Sequence, residues 1–500
     1  MELVDHLVLG FTTALSVQNL LLAFIGCVIG TLVGVLPGLG PIATITMLLP
    51  ITFGIDPTGA LIMLAGIYYG AQYGGSITAI LVNIPGEASA VVTTLDGYKM
   101  TQQGRGGIAL GISAIGSFFA GCVATIFIAA LATPLTKLAL LFGPADYFSL
   151  MVMGLVFAII LSGGSLMKAV AMVLLGILLS TIGTDLETGA ARLTFGLPRL
   201  EDGIDFSVLA IGIFGFAEVL RNLDHDVVRN VASQTVGRIL PSRADFRASA
   251  GPIARGTALG SILGILPGNG AVLAPFASYA VEKRMSKSPS RFGGGAIEGV
   301  AGPEAANNAG AQTSFIPLLT LGIPPNAVMA VMVGAMTLHG VVPGPQVMDT
   351  NPALFWGIIV SMWIGNLMLL IINLPLVGLW IKLLKVPYRL MVPAILLFSC
   401  IGVYSINASA GDVLFATFFA IAGYALSKVG FEPAPLLLGF VLGELLEENL
   451  RRALLLARGD ALIFLERPIS ASLLILSAGV ICLVLMPALR RGRTEVFQDE

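Results

Sequence analysis

Long apolar runs separated by short polar interruptions make up most of this chain. Residues 150–161, 169–182, 354–384 and 473–486 are almost uncharged, and about 20 apolar residues span a bilayer. The pattern predicts membrane helices along the whole length. Two of the interruptions are copies of each other. Residues 30–40, GTLVGVLPGLG, return 230 residues later as residues 260–270, GSILGILPGNG, with Pro-Gly-X-Gly inside an apolar run both times. A second pair follows: residues 78–91, TAILVNIPGEASAV, match residues 317–330, PLLTLGIPPNAVMA, now with an offset of 239. Each half therefore reads as a broken element, a loop, a second broken element and several plain spans. Duplicated breaks in hydrophobic segments point to a transporter binding site.

Composition agrees. Charged residues are 11% of the 500 and the mean hydropathy is +0.92, against about 25% charged residues in soluble domains. There is no basic stripe for nucleic acid, and the 60 glycines suit close helix packing in lipid. The first twenty residues carry no Lys or Arg, so no cleavable signal peptide is expected. Cys27, Cys122, Cys400 and Cys482 form no C-x-x-C, and His6, His225 and His339 have no metal-ligand spacing. No cofactor is expected. An intramembrane enzyme is disfavoured, because the chain lacks a G-x-S-x-G elbow, an H-E-x-x-H pair and matched helix aspartates.

Charge placement bears on orientation, since Lys and Arg in short loops mark the cytoplasmic side. Residues 1–98 contain neither, whereas Arg221, Arg229, Arg238, Arg243, Arg247 and Arg255 precede the second copy and Lys283, Arg284, Lys287 and Arg291 follow it. Segment 253–280, with arms of about 13 residues around Pro267 and Gly268, is thus expected to be a re-entrant hairpin from the cytoplasm. The first copy, at about 20–54, would enter from outside, which makes the repeats inverted. The acidic loop with Asp185, Glu187, Glu201, Asp202 and Asp205 then lies outside. The stretch 434–450 is either a short span or an interfacial helix, and the side of the C-terminus stays open with it. The expected architecture is an all-α polytopic membrane protein of about 10–12 transmembrane helices. The first inverted repeat covers 1–225, an Arg-rich cytoplasmic linker 226–252, and the second repeat 253–500.

Pro and Gly free backbone groups that cannot face lipid. Half-helix N-termini offer partial positive charge to an anion, and freed carbonyls coordinate Na⁺. The candidate substrate-binding residues are Pro37, Gly38, Gly40, Ser76, Thr78 and Asn83 in the first half. In the second they are Pro267, Gly268, Asn269, Gly270, Asn307, Asn308, Gln312, Thr313, Ser314 and Asn326. A coupling Na⁺ would sit near Gly38, Gly40, Gly268 and Asn269. No Lys or Arg occurs in 1–98 or 292–381, so a bound anion would rely on helix ends, hydroxyls, amides and a co-bound cation. A coupling proton would instead need a membrane carboxylate, Glu87, Glu218 or Glu304.

The stretches GVLPGLGP (34–41), YGGSITAILVNIPGE (73–87), LDGYKM (95–100), ILPGNGAVLAPFASYAVEKR (265–284) and GPEAANNAGAQTSFIPLLTLGIPPNAVMAVMVGAM (302–336) resemble the large membrane subunit of the tripartite tricarboxylate transporters, the TctA family. The resemblance implies a secondary transporter of the bacterial inner membrane, importing citrate or related small carboxylates on an ion gradient. It implies as partners a small integral membrane subunit and a periplasmic solute-binding protein. The large subunit of the TRAP-type carboxylate transporters is the nearest alternative, and a passive channel a more distant one.

Overall fold

The computed structural model describes residues 3–36, 40–162, 165–185, 188–224, 237–267, 270–383 and 388–485. It is 79% helical, and among the described residues the β pairing is one two-residue ladder, 183–184 with 191–192. The all-α class expected from the apolar runs is therefore observed.

In the first half, α1 (Leu3–Ala14) precedes α2 (Val17–Val35), α3 (Pro41–Thr52), α4 (Pro57–Val82), α5 (Val91–Gln102) and α6 (Gly106–Ala139). Then come α7 (Pro144–Ile160), α8 (Leu166–Ser180), α9 (Phe206–Ala210), a π-helical turn (Ile211–Phe216) and α10 (Ala217–Asp224). The second half opens with α11 (Arg243–Ile265), α12 (Gly270–Met285), α13 (Glu298–Thr313), α14 (Phe315–Leu321) and α15 (Ala327–Leu338). It continues through α16 (Val347–Thr350), α17 (Pro352–Asn373), α18 (Val377–Leu383), α19 (Tyr388–Asn407) and α20 (Ala410–Lys428). The last helices are α21 (Pro433–Leu456), α22 (Ile463–Glu466) and α23 (Pro468–Leu485).

Local chemistry sets the boundaries. Asp56 caps α4 by accepting from the amides of Thr58 (3.1 Å) and Gly59 (3.4 Å), with Pro57 in the first helical position. Ser242 and Asp245 form a reciprocal capping box, which starts α11 at Arg243. The helix thus includes the last ten residues of the expected linker. At 23 residues α11 is about 35 Å long, so the arm before Pro267 exceeds the expected 13 residues, and its length no longer argues for re-entry.

Among the described residues four helices, α2, α6, α17 and α20, are long and apolar enough to cross a membrane. Phe24 and Ile25 on α2, Phe119 and Phe127 on α6, and Phe418 and Ile421 on α20 remain exposed, as lipid-facing side chains do. The chain is a multi-pass membrane protein.

The sequence repeat reappears as a packing repeat. On α2, a Cβ at Gly26, Gly30 or Gly34 would run into the carbonyl oxygen of Met63, Ile67 or Ala71 on α4. On α11, a Cβ at Gly256, Gly260 or Gly264 would run into that of Gly302, Ala306 or Gly310 on α13. The glycines correspond at the 230-residue offset and their partners at 239, the same two offsets that relate the breaks. Small residues every fourth position let two helix backbones touch, which supplies the packing energy that lipid cannot. Beyond these pairs the halves exchange contacts: α12 packs on the short turn Ala88–Ala90 before α5, and α3 on α15. Likewise α8 packs on α21, and α20 on the π-helical turn. The correspondence is incomplete, since α12 folds back along α11 and α13, whereas α3 makes its main contacts with α19 and the π-helical turn.

The undecided stretch 434–450 belongs to one continuous helix, α21, of 24 residues. Arg451 near its end pairs with Asp185 (2.8 Å) and Glu447 (2.6 Å), and Arg192 pairs with the same two carboxylates. That end of α21 therefore lies on the side of the acidic loop, its cationic residue matched by acids.

Candidate functional site

Both Ile-Pro breaks have the same backbone course. Helix α4 ends on Asn83 in the left-handed region (φ 60°, ψ 29°), and α14 ends on Gly322 (φ 73°, ψ 16°). Four residues further on, Glu87 (φ −153°, ψ 165°) and Asn326 (φ −152°, ψ 172°) are both extended and both lead into the next helical segment. All four positions obey the 239-residue offset. The left-handed turn suits Asn and Gly, which carry the smallest penalty there. The first break also meets the end of α2: a Cβ on Gly86 would strike the Gly34 carbonyl and Gly75.

Where these elements cross, a network of buried polar side chains joins the two halves. Glu304 on α13 has no solvent exposure. It accepts hydrogen bonds from Ser76 on α4 (2.5 Å), from Thr93 on α5, and from Ser113 on α6 (2.9 Å). At the first break Glu87 accepts from Ser89 (2.6 Å) and from the Asn307 amide (3.3 Å). Ser89 also lies 3.3 Å from Gln72. The Tyr68 hydroxyl faces Gln72, Ser314 and Asn326, so it reaches the second break from the first half.

The sequence-predicted residues divide accordingly. Ser76, Asn307, Ser314 and Asn326 come together around these two carboxylates and Tyr68. Asn326 also caps α15, its Oδ1 accepting from the Met329 amide at 2.9 Å. Asn308 and Gln312 face α6, where Asn308 donates to Ser117 (2.7 Å) and Gln312 accepts from Thr125 (2.7 Å). Thr78 donates to its own helix at Gly75, and Thr313 to Ala309 at the seam with α11. Asn83 is an exposed helix terminus rather than a cluster member. Gly40 caps the start of α3 with no described atom near the place of a Cβ, while Gly270 begins α12 tightly packed on the Leu263 carbonyl. Pro267 is buried near Gly154 of α7. Pro37, Gly38, Gly268 and Asn269 lie outside the described residues. Of the positions expected near Na⁺, Gly40 alone is described.

Thr93, Ser113, Ser89, Gln72 and Tyr68 join the cluster without having been singled out as site residues. Glu87 and Glu304, the membrane carboxylates a coupling proton would need, both belong to it. A signal was present. Ser113, Ser117 and Thr125 recur at multiples of four along α6, and Glu304, Asn308 and Gln312 at fours along α13. Each residue of one stripe bonds its counterpart in the other. Of the remaining carboxylate candidates, Glu218 pairs with Arg221 on α10, away from this cluster.

Helix starts, hydroxyls, amides and two carboxylates without a basic side chain suit an anion only if a cation accompanies it. Comparison with known proteins gives that chemistry a family. Residues 20–438 match the tripartite tricarboxylate transporter TctA family. Two Agrobacterium vitis proteins are similar to the chain. One, described as an uncharacterized 52.8 kDa protein in the TAR-I ttuC' 3' region, is 57% identical over 500 residues, the whole of both chains. The other, an uncharacterized protein in the TAR-II ttuC' 3' region, is 62% identical over 241 residues, 48% of this chain and all of its own length. No solved structure matches. The family is one of transporters and not of enzymes, and it decides against the TRAP-type alternative. With 419 of 500 residues matched, the chain belongs to the tripartite tricarboxylate transporter TctA family, as its large membrane subunit.

Proposed function

We propose that the chain is the permease subunit of an ion-gradient-driven importer of tricarboxylates or related small carboxylates, citrate among them. It works in a bacterial inner membrane with a small membrane subunit and a periplasmic solute-binding protein that delivers the substrate. The carrying observation is the pair of equal breaks, 83–87 and 322–326, set around polar groups that include no Lys or Arg. Charge flanks favour an inverted arrangement of the repeats, with the Pro-Gly-X-Gly breaks reached from opposite faces. The substrate carboxylates then bind at half-helix N-termini and at the Asn307, Ser314 and Asn326 side chains. A co-transported cation, Na⁺ in preference to a proton, balances the charge. The two halves move relative to each other and expose this region to each side in turn.

The test is uptake of radiolabelled citrate, and of a panel of di- and tricarboxylates, into cells carrying this chain with both partner subunits. Concentrative uptake that stops when the Na⁺ and proton gradients are collapsed supports the proposal. Uptake that never exceeds the external concentration favours a channel and overturns it. Asn269→Leu and Gly268→Val are expected to abolish uptake with normal membrane insertion. Wild-type uptake in both would remove the Pro-Gly-X-Gly breaks from the site.

A further inference from the structure

Glu304 sits in an oxygen cage that the proposed transport reading does not by itself require. Its four side chains come from four helices, α13, α4, α5 and α6, and so from both halves of the chain. Among the described residues, every neighbour that bonds the carboxylate is a neutral hydroxyl. Arg255 and Glu282, on the helices packed against α13, pair with each other at 2.6 Å. The titratable groups that share the surroundings of Glu304 are Tyr73 on α4 and Glu87 at the first break, and neither supplies positive charge. A buried charge is normally paired or neutralised.

The hydrogens in the cage also fall short. Ser76 has one hydroxyl proton and two acceptors, the Gln72 carbonyl at 3.0 Å and Glu304 Oε2 at 2.5 Å. Oε2 is shared in turn with Ser113. One added cation among these oxygens removes both deficits, since carboxylate, hydroxyl and carbonyl oxygens are the ligands that hard cations take.

A second observation points the same way. Beside Ser113 lies a small cavity lined by Tyr73, Ile77, Leu110, Ser113, Asn373 and Val377. The Tyr73 hydroxyl and Asn373 Oδ1 are buried with no hydrogen-bond partner among the described residues. Unsatisfied buried polar atoms next to a cavity mark a place for water or a passing ion. Asn373 ends α17, nine residues before Lys382, so the cavity lies between Ser113, a hydrogen-bond partner of Glu304, and that end of α17.

We propose that Glu304, Ser76, Thr93 and Ser113 form the site of the coupling monovalent cation, Na⁺ or a proton, and that Tyr73 and Asn373 line its path to the cytoplasm. This rests on the carboxylate-importer reading for the word coupling, but not for the binding itself. Two arms test it on the purified, reconstituted complex. In the first, equilibrium binding of ²²Na⁺ is measured without substrate. A Na⁺ site predicts saturable binding that weakens at least tenfold in Glu304→Gln and several-fold in Ser113→Ala, while Asn373→Leu keeps the affinity and slows exchange. In the second, citrate accumulation is driven by an imposed pH gradient. A proton site predicts that Glu304→Gln loses accumulation yet retains citrate exchange at zero gradient. Ser113→Ala and Thr93→Val decide both arms should Glu304→Gln fail to fold. Variants that bind ²²Na⁺ and accumulate citrate as the wild type does, under either gradient, overturn the proposal. Altered ²²Na⁺ binding in a complex that moves no carboxylate would uphold the cation site and defeat the transport reading instead.

Discussion

Asp96 offers the clearest single perturbation of the contact between the two halves. It is fully buried on α5, and its Oδ1 accepts the backbone N–H groups of Gly293 (2.9 Å), Gly295 (2.7 Å) and Ala296 (2.7 Å). Its Oδ2 accepts the Tyr279 hydroxyl from α12 at 3.0 Å. Asp96→Asn keeps an acceptor but removes the charge. A hydrogen bond to a charged group contributes about 1.5–3 kcal/mol and a neutral one about 0.5–1.5, so three amide bonds weaken by about 3 kcal/mol in total. Asp96→Ala removes the acceptor altogether. Gly293 is exposed and turns to water, whereas Ala296 is buried and Gly295 half-buried. Two orphaned donors at about 1–3 kcal/mol each give a cost of about 2–6 kcal/mol. The assay is amide hydrogen exchange of a peptide covering 291–297, in lipid nanodiscs. With each 1.4 kcal/mol worth a factor of ten, exchange should quicken by about a hundredfold in Asp96→Asn. A change below about threefold in both variants would refute Asp96 as the clasp between α5 and the glycine loop.

Two further predictions concern packing and pH. Gly30→Val and Gly260→Val place side chains against the Ile67 and Ala306 carbonyls, and both should abolish the monodisperse peak in size-exclusion chromatography. Gly40→Ala, with no described atom near the place of its Cβ, should leave that peak intact. The Ser242 hydroxyl, together with the Arg105 guanidinium 2.9 Å from Oδ1, holds the Asp245 carboxylate below its usual range. A lowered folded pKa contributes stability that is present above the unfolded value of about 3.9 and lost as pH falls through the folded one. Intrinsic-rate-corrected exchange in the first turn of α11 should therefore be flat from pH 8 to 5 and rise only below about 4. A rise between pH 7 and 5 would assign that turn's protection to another group.

Much of this arrangement was legible because its parts are periodic. The offsets of 230 and 239 that relate the breaks also relate the touching glycines and their carbonyl partners, since one duplicated segment carries both. Backbone features followed the letters: Ile84-Pro85 and Ile323-Pro324 each sit behind a left-handed residue. Long-range pairings were harder to read. Nothing local to Glu304 says that Ser76, Thr93 and Ser113, each from a different helix, will converge on it. The four-residue spacing on α6 and α13 was a weak sign of it, hidden by the apolar residues between. The early start of α11 had a visible signature, Ser242 with Asp245 three residues on, yet the arginines around it suggested a loop. Arg451 has its partner Asp185 266 residues away, a pairing that no local spacing shows.

The central claim is that carboxylate meets the protein between the two Ile-Pro breaks. Ser314 lies there, buried and facing Tyr68, and Ser314→Cys is a nearly isosteric probe once Cys27, Cys122, Cys400 and Cys482 are replaced. The deciding measurement is the rate at which a small thiol reagent modifies this cysteine in membranes, with and without the carboxylate that the complex transports. The account predicts modification that the transported carboxylate slows at least fivefold and that a non-transported acid leaves unchanged. Equal rates with and without the transported carboxylate, in a complex that still accumulates it, would contradict the account.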